Sequence, residues 1–184
     1  MSTDKWQRTG RSAVYQTPYM SVYEDIVRLP SGAMVDDYSV VDLPDGVLVV
    51  ATDEQDRLIL FEEYKYAVDD TVLTFPAGGI DDDETPEAAA LRELLEETGY
   101  VATEATLLSG NYPYPSKLTH INHIVRVTGA VKQKARQLEA SEAIGEVQLI
   151  PKDEIADLLK SGRFNTSYMI AALALAFPEY LSKN

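Results

Sequence analysis

Three glutamates within one short stretch are the residues of this chain best suited to carry chemistry. Glu93, Glu96 and Glu97 are spaced three and four residues apart, so in a helix they lie on or near one face. Like charges at that spacing destabilise a helix by roughly 0.2–0.5 kcal/mol per pair, and we expect a positive group to offset the repulsion. Carboxylate oxygens suit a hard divalent cation such as Mg²⁺ or Mn²⁺. A solvated acidic helix is the alternative that the glutamates alone leave open.

The residues that flank the glutamates predict where this helix begins and ends. Thr85 can accept a hydrogen bond from the first free backbone N–H groups, and Pro86 suits the first helical position because no N–H is needed there. Gly99 suits the left-handed residue just past the end. We therefore predict a short helix between Thr85 and Gly99, preceded by an acidic loop that Gly78 opens.

The order of residues from Gly78 to Tyr100 resembles the Nudix box of the Nudix hydrolases. The fixed positions of this 23-residue pattern are all filled, by Gly78, Glu84, Arg92, Glu93, Leu94, Glu96, Glu97 and Gly99. Tyr100 is a departure, because the family usually has an aliphatic residue there. The resemblance implies that water attacks a phosphoanhydride bond in line while cations neutralise the charge of the diphosphate.

Features outside the box resemble the ADP-ribose pyrophosphatase branch of that family. Tyr64-Lys65-Tyr66 resembles its Tyr-Arg-Tyr, and Phe75-Pro76-Ala77-Gly78 resembles its Leu-Pro-Ala-Gly. Pro115 stands sixteen residues beyond the last box glycine, a spacing associated with this branch. Two departures concern recognition of the substrate. Thr74 replaces a usual glutamate, and 114–117 replaces a Ser-Pro-Gly loop.

The resemblance implies a set of metal ligands. Glu93 and Glu97 would be the main ligands, Glu96 would share the site or support it, and the backbone carbonyl of Ala77 would complete it. Mg²⁺ is the expected ion, with Mn²⁺ as a substitute. Arg92 would neutralise and orient the glutamates through a bidentate pair; a surface ion pair is its alternative interpretation.

The general base of this branch often comes from a later loop. The acidic loop 138–144 lies where that loop is expected, and we favour Glu142 as the base or an additional metal ligand. Glu139 and Glu146 are the next candidates. For any one of the three, an ordinary solvated loop is nearly as good an interpretation.

Several side chains could contact the substrate, although packing is the alternative for each of them. They are Lys65, Tyr114, Pro115 and Tyr19, the last from the N-terminal sheet. His120 and His123 are three apart on a predicted strand and face opposite sides, so we do not expect them to form a metal pair.

Composition bounds the class of protein. Hydrophobic residues make up 45% and charged residues 25% of the 184, and the absence of cysteine excludes disulfides and thiolate chemistry. A net charge of −14 argues against a nucleic-acid partner and would repel a phosphorylated substrate unless bound cations reverse the local charge. No apolar run is long enough to span a membrane, and the polar N-terminus favours the cytoplasm. The basic run 132–136 is expected to be a solvated turn.

Strands before, between and after helices predict an α/β class of fold. By resemblance it is the Nudix α/β/α sandwich on a mixed sheet, with an N-terminal antiparallel β extension. We expect a flexible N-terminus over 1–11, the β extension over 12–45 and the Nudix domain over 46–184. The resemblance also implies a homodimer with the N-terminal strands at its interface.

The substrate implied by the resemblance is a nucleoside diphosphate sugar, with ADP-ribose as the first choice. GDP-mannose, another sugar nucleotide and an oxidised nucleotide are alternatives that keep the chemistry. A nucleotide-sensing module without catalysis is a third interpretation, although such modules usually lose the box glutamates that this chain keeps.

Overall fold

The computed structural model describes residues 5–138 and 142–181, and these form two compact units. The first unit holds the described residues up to Pro44 together with Tyr112–Ile121. The second holds Asp45–Asn111 and the described residues from Asn122 onward.

The first unit contains an antiparallel sheet in the order β1-β2-β3, with β1 at Gln7–Gln16, β2 at Ser21–Arg28 and β3 at Met34–Asp42. The turn after β2 is closed by the Leu29 N–H, which donates to the carbonyl of Ala33 over 2.9 Å. This confirms the predicted N-terminal antiparallel β extension. The stretch 1–11 that was expected to be flexible overlaps β1, since Gln7 already pairs with Arg28 in the sheet.

Residues 112–121 belong to the first unit, although the sequence places them inside the second domain. They lie along β3. The Val41 N–H donates to the carbonyl of Lys117 over 2.8 Å, and the Thr119 N–H donates back to Val41 over 3.1 Å. The Tyr38 hydroxyl donates to the carbonyl of Ser116 over 2.7 Å. Backbone pairing with β3 therefore fixes the loop that carries Tyr114.

The second unit is built on a mixed sheet. Within the described residues this sheet has eight strands: β4 (Gly46–Asp53), β5 (Arg57–Lys65), β6 (Asp70–Thr74), β7 (Ala77–Gly79), β8 (Tyr100–Val101), β9 (Ala105–Asn111), β10 (Asn122–Lys132) and β11 (Gln148–Pro151). The central order is β11-β5-β4-β10-β8; β6 pairs with β5, β7 with β4 and β9 with β10. Strands β4 and β10 run parallel, and the other pairs are antiparallel.

Helices cover both faces of this sheet. They are α1 (Pro86–Thr98), α2 (Ile155–Lys160), α3 (Ser167–Ala176) and α4 (Pro178–Leu181). Alternate residues of β4 enter opposite cores: Val47 and Val49 pack with Leu94 of α1, whereas Leu48 and Val50 pack with Leu173 of α3. A strand buried on both faces reads as one apolar run, and the predicted α/β/α sandwich is confirmed. Within the described ranges, no helix has the length and apolar character needed to cross a membrane.

Helix α1 begins and ends as its sequence predicts. The Thr85 hydroxyl accepts a hydrogen bond from the Ala88 N–H over 3.2 Å. Gly99 has a φ of 72°, and its N–H donates to the carbonyl of Leu95 over 2.7 Å. The glutamates of α1 are therefore held in a helix with fixed ends.

Candidate active site

Two of the three glutamates on α1 are buried. Glu93 is 7% exposed and Glu97 is 3% exposed, whereas the side chain of Glu96 is 39% exposed. Strand β7 contacts both buried side chains. The Ala77 N–H donates to Glu97 Oε2 over 2.9 Å, and a Cβ placed on Gly78 would lie 2.0 Å from Glu93 Oε1. A glycine at 78 is therefore what allows the Glu93 carboxylate to lie against the backbone of β7.

Arg92 is the positive group that the acidic helix was expected to need. Its Nε and Nη2 donate to the two oxygens of Glu84 over 3.1 and 2.8 Å. Its Nη1 donates to Glu93 over 2.6 Å and to Glu96 over 3.3 Å, and Nη2 also reaches the carbonyl of Gly79 over 2.8 Å. The pKa of Arg92 is raised, first by the Glu84 hydrogen bond, and the Arg92 hydrogen bond lowers the pKa of Glu84. One guanidinium thus joins the acidic loop to the helix.

Burial dominates the electrostatics of the two inner glutamates. It raises the pKa of Glu97 to about 9, because the Ala77 N–H offsets only part of the desolvation and nearby carboxylates add to it. Burial also raises the pKa of Glu93, despite the Arg92 contact. Charged carboxylates in such a place need a compensating positive charge.

A cavity of about 270 Å³ opens beside α1. It is lined by Gly78, Gly79, Arg92, Glu93, Glu96, Gln137 and Glu142. Glu142 therefore reaches the box glutamates from a separate loop, and its charge contributes to the raised pKa of both Glu93 and Glu97. Glu146 is exposed, and Glu139 lies outside the described residues.

Sequence reasoning missed Glu63 and Gln137. Glu63 lies on β5, where its charge also contributes to the raised pKa of Glu97. Gln137 lines the cavity, and its N–H donates to the carbonyl of Glu96 over 2.7 Å. The sequence signal for Glu63 is its place directly before the Tyr-Lys-Tyr motif; Gln137 has no local signal.

The basic run 132–136 is exposed over 132–135, as the sequence predicts, and it also contacts α1, which the sequence did not predict. Lys132 Nζ donates to the carbonyl of Thr98, and Arg136 Nε donates to the carbonyl of Glu97 over 2.7 Å. Cationic donors are favourable beside the free carbonyls at a helix C-terminus. The run therefore caps α1.

The proposed substrate contacts lie in different parts of the molecule. Lys65, on β5, donates to Glu63 over 2.5 Å, and its side chain is 46% exposed. Tyr19, Tyr114 and Pro115 are exposed in the first unit. Their roles toward the substrate stay predictions.

The two histidines were expected on one strand, and the structure separates them. His120 lies before β10, with its Nδ1 2.5 Å from the carbonyl oxygen of Pro44. His123 is on β10, with its Nε2 3.7 Å from Asp45 Oδ2.

The donor set at α1 fits a divalent cation. The buried carboxylate of Glu93 shares the cavity with Glu96 and Glu142, and buried Glu97 lies one turn along the same helix. Carboxylate oxygen is the donor that Mg²⁺ and Mn²⁺ prefer. In the described ranges no group of three or more His, Cys, Asp or Glu side chains has the geometry of a metal site. Glu93 accepts a hydrogen bond from Arg92, and Glu97 accepts one from the Ala77 N–H. Glu93, Glu96, Glu97 and the Ala77 carbonyl therefore stay predicted ligands.

Comparison with known proteins shows how this site is classified. Residues 42–173 match the NUDIX domain, and residues 6–41 match the nucleoside diphosphate sugar hydrolase N-terminal domain. The chain is 31% identical over 163 residues to a CMP-5'-(N-acetyl-N-hydroxy-3-aminopropyl)phosphonate hydrolase of Streptomyces rubellomurinus, which covers 89% of this chain and 78% of that protein. It is 28% identical over 170 residues to an ADP-ribose pyrophosphatase of Bacillus subtilis, covering 90% and 91%.

A solved structure agrees with these sequence matches. The crystal structure of an ADP compounds hydrolase is similar, with a TM-score of 0.83 and 25% identity over 98% of this chain and 96% of that one. A match over 98% of this chain includes α1, the mixed sheet and the N-terminal β extension. The chain therefore belongs to the Nudix family and is a Nudix pyrophosphatase.

Proposed function

We propose that this protein hydrolyses the pyrophosphate bond of a nucleoside diphosphate sugar with the help of a divalent cation, and that ADP-ribose is the substrate, giving AMP and ribose 5-phosphate. The observation that carries the proposal is the cavity in which Glu142 joins Glu93 and Glu96 of α1. Similarity to an ADP-ribose pyrophosphatase over 90% of the chain supports the choice of substrate.

The charged residues of the candidate site have the following proposed tasks. Glu93 and Glu97, with Glu96 and the Ala77 carbonyl, would hold Mg²⁺, and the bound ion would neutralise the charge of the diphosphate. Arg92 keeps Glu93 and Glu96 in place through its hydrogen bonds. Glu142 accepts the proton of the attacking water, with Glu139 as the second candidate.

We further propose a homodimer that uses the first unit. Four large apolar side chains of its sheet are exposed: Val14 by 65%, Tyr15 by 54%, Met34 by 50% and Ile26 by 41%. Apolar surface of this kind is typical of protein interfaces when it is contiguous. Sedimentation equilibrium that gives the monomer mass at micromolar concentration would refute the dimer.

A substrate panel tests the proposed reaction. ADP-ribose, GDP-mannose, a second ADP-sugar, an oxidised nucleotide and a CMP-linked phosphonate are each incubated with Mg²⁺, Mn²⁺ or a chelator. We expect AMP and ribose 5-phosphate from ADP-ribose with either metal and none with chelator. No AMP release with metal would exclude ADP-ribose, and equal rates in chelator would exclude the metal.

A second candidate substrate is a CMP-linked phosphonate. It is favoured by the 31% identity to the Streptomyces hydrolase, which is named for that kind of compound. The two candidates share the bond between a nucleoside monophosphate and a second phosphorus, so the panel decides between them by relative kcat/KM. Calorimetric binding of nucleotide without any turnover would instead support the sensing module.

A further inference from the structure

Arg136 contacts the C-terminal end of α1. The last carbonyls of an α-helix have no partner inside the helix. Here Arg136 Nε donates to the carbonyl of Glu97 over 2.7 Å, and the next residue, Gln137, donates its N–H to the carbonyl of Glu96 over 2.7 Å. These two hydrogen bonds fix residues 136–137, where the loop of Glu142 begins, against the C-terminal end of α1.

The same guanidinium contacts the far side of the loop that follows. Arg136 Nη1 donates to the carbonyl of Gly145 over 2.8 Å. The Gly145 N–H donates to the carbonyl of Glu62 over 2.7 Å, and a Cβ placed on Gly145 would lie 3.0 Å from that oxygen. The N–H of Gly145 is therefore bonded to β5, and its carbonyl is bonded to Arg136.

Glu142 lies between these two anchored points. The residue after it, Ala143, accepts a hydrogen bond from the Tyr64 N–H over 3.2 Å, and Ile144 forms a β-bridge with Glu63. Glu142 itself lines the cavity that Glu93 and Glu96 share. The position of its carboxylate therefore depends on how firmly 143–145 is held against β5.

We propose that Arg136 is a positioning residue: by joining the end of α1 to Gly145, it sets where the Glu142 carboxylate lies relative to the box glutamates. This rests on the proposed function, in which Glu142 is the base or an additional ligand. Arginine suits the task because its nitrogens form a rigid planar fork that reaches two carbonyls at once. A lysine keeps the charge at the helix end and has a single nitrogen to share between the two carbonyls.

Steady-state kinetics of Arg136→Met, Arg136→Lys and the control Arg126→Met test the proposal. Arg126 is exposed on β10. We expect Arg136→Met to lower kcat by about 10²-fold, as a catalytic group displaced by about 1 Å does, with KM close to that of the wild type. Arg136→Lys should recover part of the loss, and Arg126→Met should match the wild type.

A double-mutant cycle separates positioning from general structure. In a Glu142→Gln background, Arg136→Met should have little further effect on kcat, because the group that it positions is already gone. The same loss in both backgrounds would overturn the proposal. Wild-type kcat in Glu142→Gln would overturn it as well, since no role of Glu142 would then remain.

Amide hydrogen exchange tests the Arg136 clamp, meaning its hydrogen bonds to Glu97 and Gly145, without measuring turnover. The N–H groups of Tyr64 and Gly145 should exchange faster in Arg136→Met than in wild type, with Arg136→Lys between them and Arg126→Met unchanged. Unchanged exchange in both Arg136 variants overturns the clamp even if the protein is active. Faster exchange in a protein that hydrolyses no compound of the panel would support the clamp and reject only the proposed function.

Discussion

Glu97→Gln tests two separate effects of Glu97, its proposed contribution to kcat and its effect on the free energy of unfolding. Burial raises the pKa of Glu97 from 4.5 to about 9. Because the pKa of Glu97 is higher in the folded state than in the unfolded chain, the contribution of Glu97 to the free energy of unfolding is fully present below about pH 4.5 and is lost as pH rises toward 9. At pH 7 the folded protein keeps a proton that the unfolded chain releases, which costs on the order of 3 kcal/mol at about 1.4 kcal/mol per pH unit.

A glutamine at this position cannot ionise, and its amide oxygen can still accept the Ala77 N–H. We therefore expect the metal-free variant to gain up to about 3 kcal/mol at pH 7, and a gain of 1 kcal/mol raises Tm by roughly 2–4 °C in a chain of this size. The same change should lower kcat by orders of magnitude, roughly 10²-fold or more, because a predicted metal ligand is lost.

The assay is thermal unfolding in chelator from pH 5 to pH 9, with Glu104→Gln as the matched control. Glu104 is exposed, so this control makes the same Glu-to-Gln change at a position without burial. The two variants should converge toward pH 4.5 and diverge above it. Equal Tm values at pH 8 would refute the reasoning from burial, and near-normal turnover of Glu97→Gln would refute its place in the metal site.

Two further predictions concern Gly78 and Arg11. Gly78→Ala should lower kcat more than tenfold with a small change in Tm, since the new Cβ would displace the flexible end of the Glu93 side chain. The control is Gly79→Ala, where a Cβ meets nothing within 4 Å. Equal kcat values in the two variants would contradict the prediction. Arg11→Met should destabilise the protein by about 1–3 kcal/mol at pH 7, because it leaves the buried Asp25 carboxylate without its partner. In the wild type Arg11 Nε lies 2.7 Å from Asp25 Oδ1, and this hydrogen bond lowers the pKa of Asp25. That stability is present above about pH 4 and lost as pH falls through the lowered pKa, so an equal loss at pH 3 and pH 7 by thermal unfolding would speak against it.

Local sequence predicted the elements of this fold well. The ends of α1 follow from Thr85, Pro86 and Gly99, because capping depends on residues that are neighbours in the chain. The continuous apolar run from Val47 is likewise a local signal, because it is typical of a strand that is buried on both faces. The sheet order and the division into units needed contacts between distant residues.

The sequence also determined which residues of the site belong to one helix. Spacing alone puts Glu93, Glu96 and Glu97 near one face, and it could not show that Glu93 and Glu97 are buried while Glu96 is half exposed. That difference is set by β7, whose Ala77 and Gly78 cover the two inner carboxylates.

What only the tertiary structure decided lies far away in sequence. In the sequence Arg136 is one charge in a basic run, and only the fold brings it into contact with Glu97 and Gly145, so that it joins α1 to the loop of Glu142. Residues 112–121 appeared to belong to the second domain, yet they pair with β3. Helix caps and periodicity act over a few residues and are written locally, whereas these contacts span tens of residues and exist only after the sheet has formed.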